Sequence, residues 1–225
     1  MDSELNLMLE NHKLDQLYNN NLFSVKSMSQ LLGTWDNYSI DEKYQLENIT
    51  KRDTLINKCF TFNGSYQSNL TYGEITRTGV DIILEKISTY KKITDKDVFV
   101  DVGSGTGKLL IHSAIKSNFK TFVGIEIQKE RLQYSKIIKE NILPEKPIFF
   151  INKDALDFDL SIGTVFFMND VTFGIDLRNK IFNKLPKGSH FITFAYRPEC
   201  KILKEEIDIP VTWSNKPVKY KYYIK

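Results

Sequence analysis

The run Asp97-Val-Phe-Val-Asp-Val102 and the turn Gly103-Ser-Gly-Thr-Gly107 that follows it constrain this chain more than any other stretch. A short, continuous apolar run is the mark of a strand buried on both faces, which requires a parallel sheet with helices on either side. The pattern downstream repeats the alternation. Helices are expected from Lys108 to Lys116, Gln128 to Asn141 and Asp176 to Leu185. Strands are expected from Thr121 to Ile125, Ile148 to Ile151, Thr164 to Met168 and His190 to Phe194. Upstream, Ile75 to Ile93 reads as a helix with Val80, Ile83, Leu84 and Ile87 inward. The end, Val218 to Ile224, alternates and reads as a final strand lying antiparallel at the sheet edge. The expected class is α/β, a parallel sheet covered on both faces.

Length and composition fit one such domain with a helical addition. The chain has 225 residues, 41% hydrophobic and 26% charged, which excludes fibrous and wholly disordered classes. Leu5, Met8, Leu9 and Leu17 fall roughly on one stripe, and Ser39-Ile-Asp-Glu42 resembles a capping box. The loop-like stretch from Phe62 to Asn69 separates an N-terminal helical accessory segment, residues 1–70, from the domain at 71–225. The net charge of +3 is too balanced for a strongly electrostatic nucleic-acid binder but allows a local patch. Lys216, Lys219, Lys221 and Lys225, with Lys187 and Lys201, form such a cluster. Cys59 and Cys200 need no disulfide, and His12, His112 and His190 are too scattered for a zinc site. The acidic N-terminus is no signal peptide, and no apolar run reaches the ~18 residues of a membrane span, so an intracellular, membrane-free, monomeric protein is expected.

The glycine turn marks a ligand site. Between a strand and a helix, GxGxG lets the backbone turn and approach a ligand closely. It lies at the carboxyl end of a parallel strand, where open sheets bind ligands. A phosphate-binding loop would need Ser or Thr after Lys108, where Leu109 stands. The dinucleotide pattern GxGxxG is one residue longer. Asp101 would repel a pyrophosphate but can accept hydrogen bonds from an amine-bearing ligand. Glu126, 19 residues after Gly107, is placed to accept both ribose hydroxyls of an adenosine. Asp154 follows the third strand, where a carboxylate could meet an adenine amine. Together these four features match S-adenosylmethionine.

More specific motifs surround the turn. Tyr72-Gly73-Glu74 precedes the first helix, Phe99 to Gly107 follows, Asn169-Asp-Val-Thr-Phe173-Gly174 ends the fourth strand, and Trp213-Ser-Asn-Lys-Pro217-Val-Lys-Tyr220 lies near the C-terminus. In this order the chain resembles the disruptor-of-telomeric-silencing (Dot-one) histone lysine methyltransferases over about residues 66–225. The resemblance implies a class I, seven-strand, Rossmann-like fold and S-adenosylmethionine as methyl donor, with S-adenosylhomocysteine as product. It implies that Tyr72, Gly73, Glu74 and Ile75 cover the methionine end of the cofactor. Phe99, Val100, Asp101, Val102, Gly103, Ser104, Gly105, Thr106, Gly107 and Lys108 would line its methionine and ribose. Glu126 would hold the ribose, Asp154 and Ala155 would flank the adenine, and Asn169 would border both cofactor and lysine channel. Phe173, Trp213 and Tyr220 would wall that channel. Three positions depart from the family pattern: Lys108 for Gln, Ile75 for a small hydroxyl residue, and Ala155 for an aromatic.

These residue types suit the chemistry. A lysine has a pKa of about 10.4 and must attack as the neutral amine. A narrow aromatic channel desolvates the ammonium and disfavours its charge. In-line displacement at a sulfonium rewards positioning. The resemblance implies methylation of a lysine on the globular core of histone H3 in nucleosomes, in the nucleus or, for a short viral member, a host nucleus or viral factory. The lysine cluster is then expected to touch DNA phosphates. The alternatives are a non-histone protein lysine and a non-catalytic cofactor-binding chromatin scaffold.

Overall fold

The computed structural model describes residues 2–19, 73–198 and 203–225. Helix α1 (Asp2–Asn19) is followed by α2 (Arg77–Tyr90), β1 (Val98–Val102), α3 (Lys108–Lys116), β2 (Thr121–Glu126), α4 (Lys129–Ile142) and β3 (Ile148–Asn152). Then come β4 (Val165–Met168), α5 (Ile175–Lys184), β5 (His190–Thr193), β6 (Leu203–Ile209) and β7 (Val218–Ile224). The strands form one sheet of order β3-β2-β1-β4-β5-β7-β6, in which β7 alone runs opposite to all the others.

The apolar run Val98–Val102 is the centre of this sheet. β1 lies between β2 and β4, and its side chains feed two separate clusters. Phe99 joins residues of α1–α4 on one face, and Val100 and Val102 join Ile181 and Phe182 of α5 on the other. The register pairs Val102 with both Ile125 and Met168, so the carboxyl ends of β1, β2 and β4 finish level and open onto one rim. A parallel sheet thereby collects residues distant in sequence at a single edge.

The helices fall within three residues of their expected bounds, and α2 buries Val80, Ile83, Leu84 and Ile87. Two expectations are corrected. β7 is not the edge strand: β6 pairs outside it. Lys204, Glu205 and Glu206 break the apolar alternation that would have marked β6, an edge strand with a polar, solvated surface. In α1 the buried positions are Leu14 and Leu17, whereas Met8 and Leu9 are exposed. The helix docks on α3 and α4 with Leu14 and Leu17 in the core. The capping box at Ser39–Glu42 and the loop from Phe62 to Asn69 lie outside the described residues.

Two histidines are held neutral by this packing. His112 on α3 is fully buried, and desolvation keeps its ring below the ordinary imidazole range. Its Nε2 lies 2.9 Å from Asp81 Oδ1, and the Tyr18 hydroxyl lies 2.9 Å from its Nδ1. His190 on β5 is also depressed by burial, then by Lys91, and bonds the Tyr222 hydroxyl at 2.7 Å. An unfolded imidazole takes up a proton near pH 6.5, but these folded ones do so only at lower pH. Below about pH 6.5 the unfolded rings therefore bind more protons than the folded ones, so both histidines oppose folding as pH falls. Titration of the two rings by NMR should find both midpoints below about pH 6.5, and an ordinary midpoint for either ring contradicts this.

Candidate active site

The turn leaving β1 is pinned across the top of β2. The amides of Gly103 and Ser104 both donate to the Ile125 carbonyl, at 2.8 and 3.0 Å. Gly103 and Gly107 adopt φ of +81° and +75°, the left-handed region open chiefly to glycine. At Gly107 a Cβ would also lie 2.3 Å from Phe150 Cζ, so helix α3 approaches β3 only because no side chain intervenes. The next strand returns the contact: Glu126 Oε2 accepts from the Gly105 amide at 2.9 Å and Oε1 from the Gln128 amide at 2.8 Å.

A cleft of about 520 Å³ opens over this rim, within the usual size of a small-molecule site. Of the expected cofactor residues, Gly73, Glu74, Ile75, Asp101, Val102, Gly103, Ser104, Thr106, Lys108, Glu126, Asp154, Ala155 and Asn169 line it. Phe99 and Val100 are core residues beneath it. Gly105 and Gly107 shape the turn without lining the cleft. Tyr72 lies outside the described residues.

Charge is concentrated at one end. Glu74 and Lys108 are both buried and form an ion pair at 2.5 Å, while the Thr106 hydroxyl donates to the other Glu74 oxygen at 2.7 Å. The lysine that departs from the family pattern thus has a local partner. Asp101 sits deeper, 4% exposed, and burial followed by the Glu126 charge pushes its carboxyl up to about 8. Its carboxylate receives no hydrogen bond from the described residues. The hydroxyl of Ser104 is likewise buried without a partner. Orphaned buried oxygens in a cleft are acceptors awaiting a ligand's donors.

Of the residues expected to wall a lysine channel, Tyr220 meets Asn169 directly. Its Nδ2 donates to the Gly73 carbonyl at 3.3 Å, and its Oδ1 accepts from the Tyr220 hydroxyl at 2.9 Å. One side chain therefore ties the end of β4 to the Glu74 loop and to β7. Burial and then the charges of Asp170 and Asp101 raise Tyr220 well above its usual range, so its hydroxyl stays a donor. Tyr220 stacks on Phe167, with centroids 5.6 Å apart, and does not itself line the cleft. Phe173 lines it beside Gly103. Trp213 does not line the cleft; 38% exposed, it packs its ring against Gly73, which does: a Cβ there would lie 2.4 Å from Trp213 Cε3.

The sequence reading missed two supports. Asp170, fully buried, accepts from the Phe194 and Ala195 amides at 2.9 and 2.8 Å and pairs with Arg178 Nε at 3.1 Å. It locks the segment carrying Asn169 onto β5 and α5, and its place beside Asn169 was the available signal. Arg131, buried on α4, also lines the cleft. The expected lysine patch is corrected. Lys221 is buried, Lys219 pairs with Asp208, and Lys225 donates to the carbonyls of Phe182, Asn183 and Leu185 at the end of α5. Of the four, Lys216 alone stays exposed without an ion pair, and Lys201 lies outside the described residues. Among the described residues no helix is long and apolar enough to cross a membrane.

Removing one member of a buried ion pair leaves the other uncompensated. Lys108→Met should therefore cost about 3 kcal/mol in urea unfolding, and the double variant Glu74→Gln/Lys108→Met should regain at least half of it. Additive losses would show that the pair is not coupled.

Comparison with known proteins gives a family and a fold. The model of the family described as histone methylation protein DOT1 matches residues 60–209. An RNA methyltransferase from Salinibacter ruber, solved with S-adenosyl-L-homocysteine, is similar with a TM-score of 0.51 at 21% identity, covering 67% of this chain and 92% of that one. Magnesium protoporphyrin IX methyltransferase ChlM from Synechocystis PCC 6803, solved with bound SAM, gives 0.55 at 12% identity, covering 77% and 96%. At such identities these two likenesses establish the fold alone.

Proposed function

The chain belongs to the DOT1 histone-methylation family, and from that premise we propose that it is an S-adenosylmethionine-dependent protein lysine methyltransferase acting on the globular core of histone H3 in nucleosomes. The observation that carries this reading is Asn169, which joins the cleft, the Glu74 loop and Tyr220 at one point. A cofactor held over the glycine turn and an amine entering past Trp213 and Phe173 would meet there.

The cleft suits a cationic, phosphate-free nucleoside. Asp101 and Ser104 offer unoccupied acceptors to its ammonium group. Lys108 offers a donor to its carboxylate, keeping Glu74 as counter-charge. Glu126 retains lone pairs for ribose hydroxyls beyond its two amide bonds, and Asp154 with Ala155 flanks the adenine end. When bound, the cofactor supplies an electrophilic methyl group. The chain's own contribution is to orient and to exclude water. Asn169 and Tyr220 present polar groups without adding a carboxylate at the amine, while Phe173 and Trp213 disfavour its charged form. Nuclear or host-nuclear location follows from such a substrate.

Incubation with labelled S-adenosylmethionine and nucleosomes, free octamers, naked DNA or cell extract tests the reading. Label on H3 in nucleosomes is expected. Label confined to another protein would point to a non-histone lysine, and cofactor binding without transfer to a scaffold. Asn169→Ala should lower turnover at least tenfold, because one of the groups orienting the acceptor is lost.

Cofactor affinity should depend on pH. Asp101 must be ionised to accept from the cofactor's ammonium, yet burial and the Glu126 charge keep it largely protonated below about pH 8. Affinity should therefore rise up to about tenfold per pH unit between pH 6 and 8. Calorimetric titration checks this, and the Asp101→Asn variant should bind more weakly with a flatter profile.

A further inference from the structure

Helix α1 lies outside the cleft, yet its side chains hold α2, which follows the Glu74 loop, and α3, which begins at Lys108. Arg77 begins α2, three residues after Glu74, and donates to Asp15 Oδ1 at 2.7 Å and Asn11 Oδ1 at 3.3 Å. With the Asp81 carboxylate accepting from His112 Nε2–H, the ring's Nδ1 accepts from the Tyr18 hydroxyl at 2.9 Å. His112 stands one turn beyond Lys108 on the same side of α3, and Lys108 grips Glu74. Two contacts of α1 thus lie close to the Glu74 loop: Arg77 is one helical turn from Glu74, and His112 is one turn from the Lys108 that grips it. On its other side that loop is tied to the segment before β7: Glu74 N donates to Thr212 Oγ1 at 3.0 Å, and Thr76 N to the Pro210 carbonyl at 3.2 Å. Leu14 and Leu17 anchor α1 in the core.

We propose that α1 is a positioning element for the cofactor loop, so that docking of α1 and binding of cofactor are thermodynamically coupled through Tyr18, Asp15 and Arg77. This rests on reading the cleft as a cofactor site. Neither Tyr18 nor Asp15 touches the cleft; both act through His112 and Arg77 on the turns that carry Lys108 and Glu74. Coupling between two binding events is reciprocal. If α1 steadies the loop for cofactor, cofactor must steady α1, whereas a helix that merely completed the core would not respond.

The test combines hydrogen exchange with calorimetric titration of S-adenosylhomocysteine into the full chain. Saturating S-adenosylhomocysteine should slow exchange of the amides at residues 11–18. Tyr18→Phe and Arg77→Ala should each weaken its binding about threefold to tenfold and, without ligand, speed exchange at the Glu74 and Thr76 amides. Met8→Ser, on the exposed side of α1, should do neither. Wild-type affinity in both variants overturns the coupling, as does α1 exchange indifferent to bound ligand. If the wild-type chain binds no S-adenosylhomocysteine, the cofactor reading fails, while the ligand-free exchange at Glu74 and Thr76 still decides whether α1 holds the loop.

Discussion

The hydrogen bonds from Gly103 and Ser104 to the Ile125 carbonyl fix where everything else can stand. They fold the chain leaving β1 flat across the end of β2, and the Glu126 carboxylate then closes the same joint from the other strand. A turn so pinned leaves its backbone facing outward and fixes the first turn of α3, with Lys108, at the cleft. No side chain could replace glycine at the left-handed positions without strain, and at Gly107 none could fit against Phe150.

The cleft's electrostatics follow from this geometry. Three acids, Glu74, Asp101 and Glu126, are buried around one small space. Each is handled differently. Glu74 is neutralised by Lys108, Glu126 is held by two backbone amides, and Asp101 is left to desolvation and to its neighbour's charge. Burying an acid without a partner is costly, and proteins tolerate it where a ligand will supply the counter-charge. The second centre, at Asn169, is built from segments 96 and 51 residues away in sequence, Gly73 and Tyr220. Asp170 supports it by satisfying the amides where β5 ends.

Much of this was legible in the residues. Period and run length gave every helix and strand of the parallel half, because each buries a continuous stripe or run whose composition is local information. The glycine turn, Asp101, Glu126 and Asn169 were legible for the same reason: each lies at the end of a strand already marked. β6 was not, since Lys204 and Glu206 face solvent, Glu205 pairs with Lys86 of α2, and none of the three carries an apolar signature. The lysine cluster misled for the opposite reason. A run of lysines looks like a patch until one knows that Lys221 points into the fold and Lys225 reaches the carbonyls of α5.

By itself the sequence determined the α/β class, the order of its units and the residues at the strand ends, because those depend on hydrophobic period and on backbone freedom within a few positions. Only the tertiary structure decided that β7 runs inside the sheet, that Lys108 is committed to Glu74, that Asp170 braces Asn169, and that α1 grips the turns beside the cleft. Each of these is a contact between segments tens of residues apart, and such contacts exist only once packing has brought their partners together.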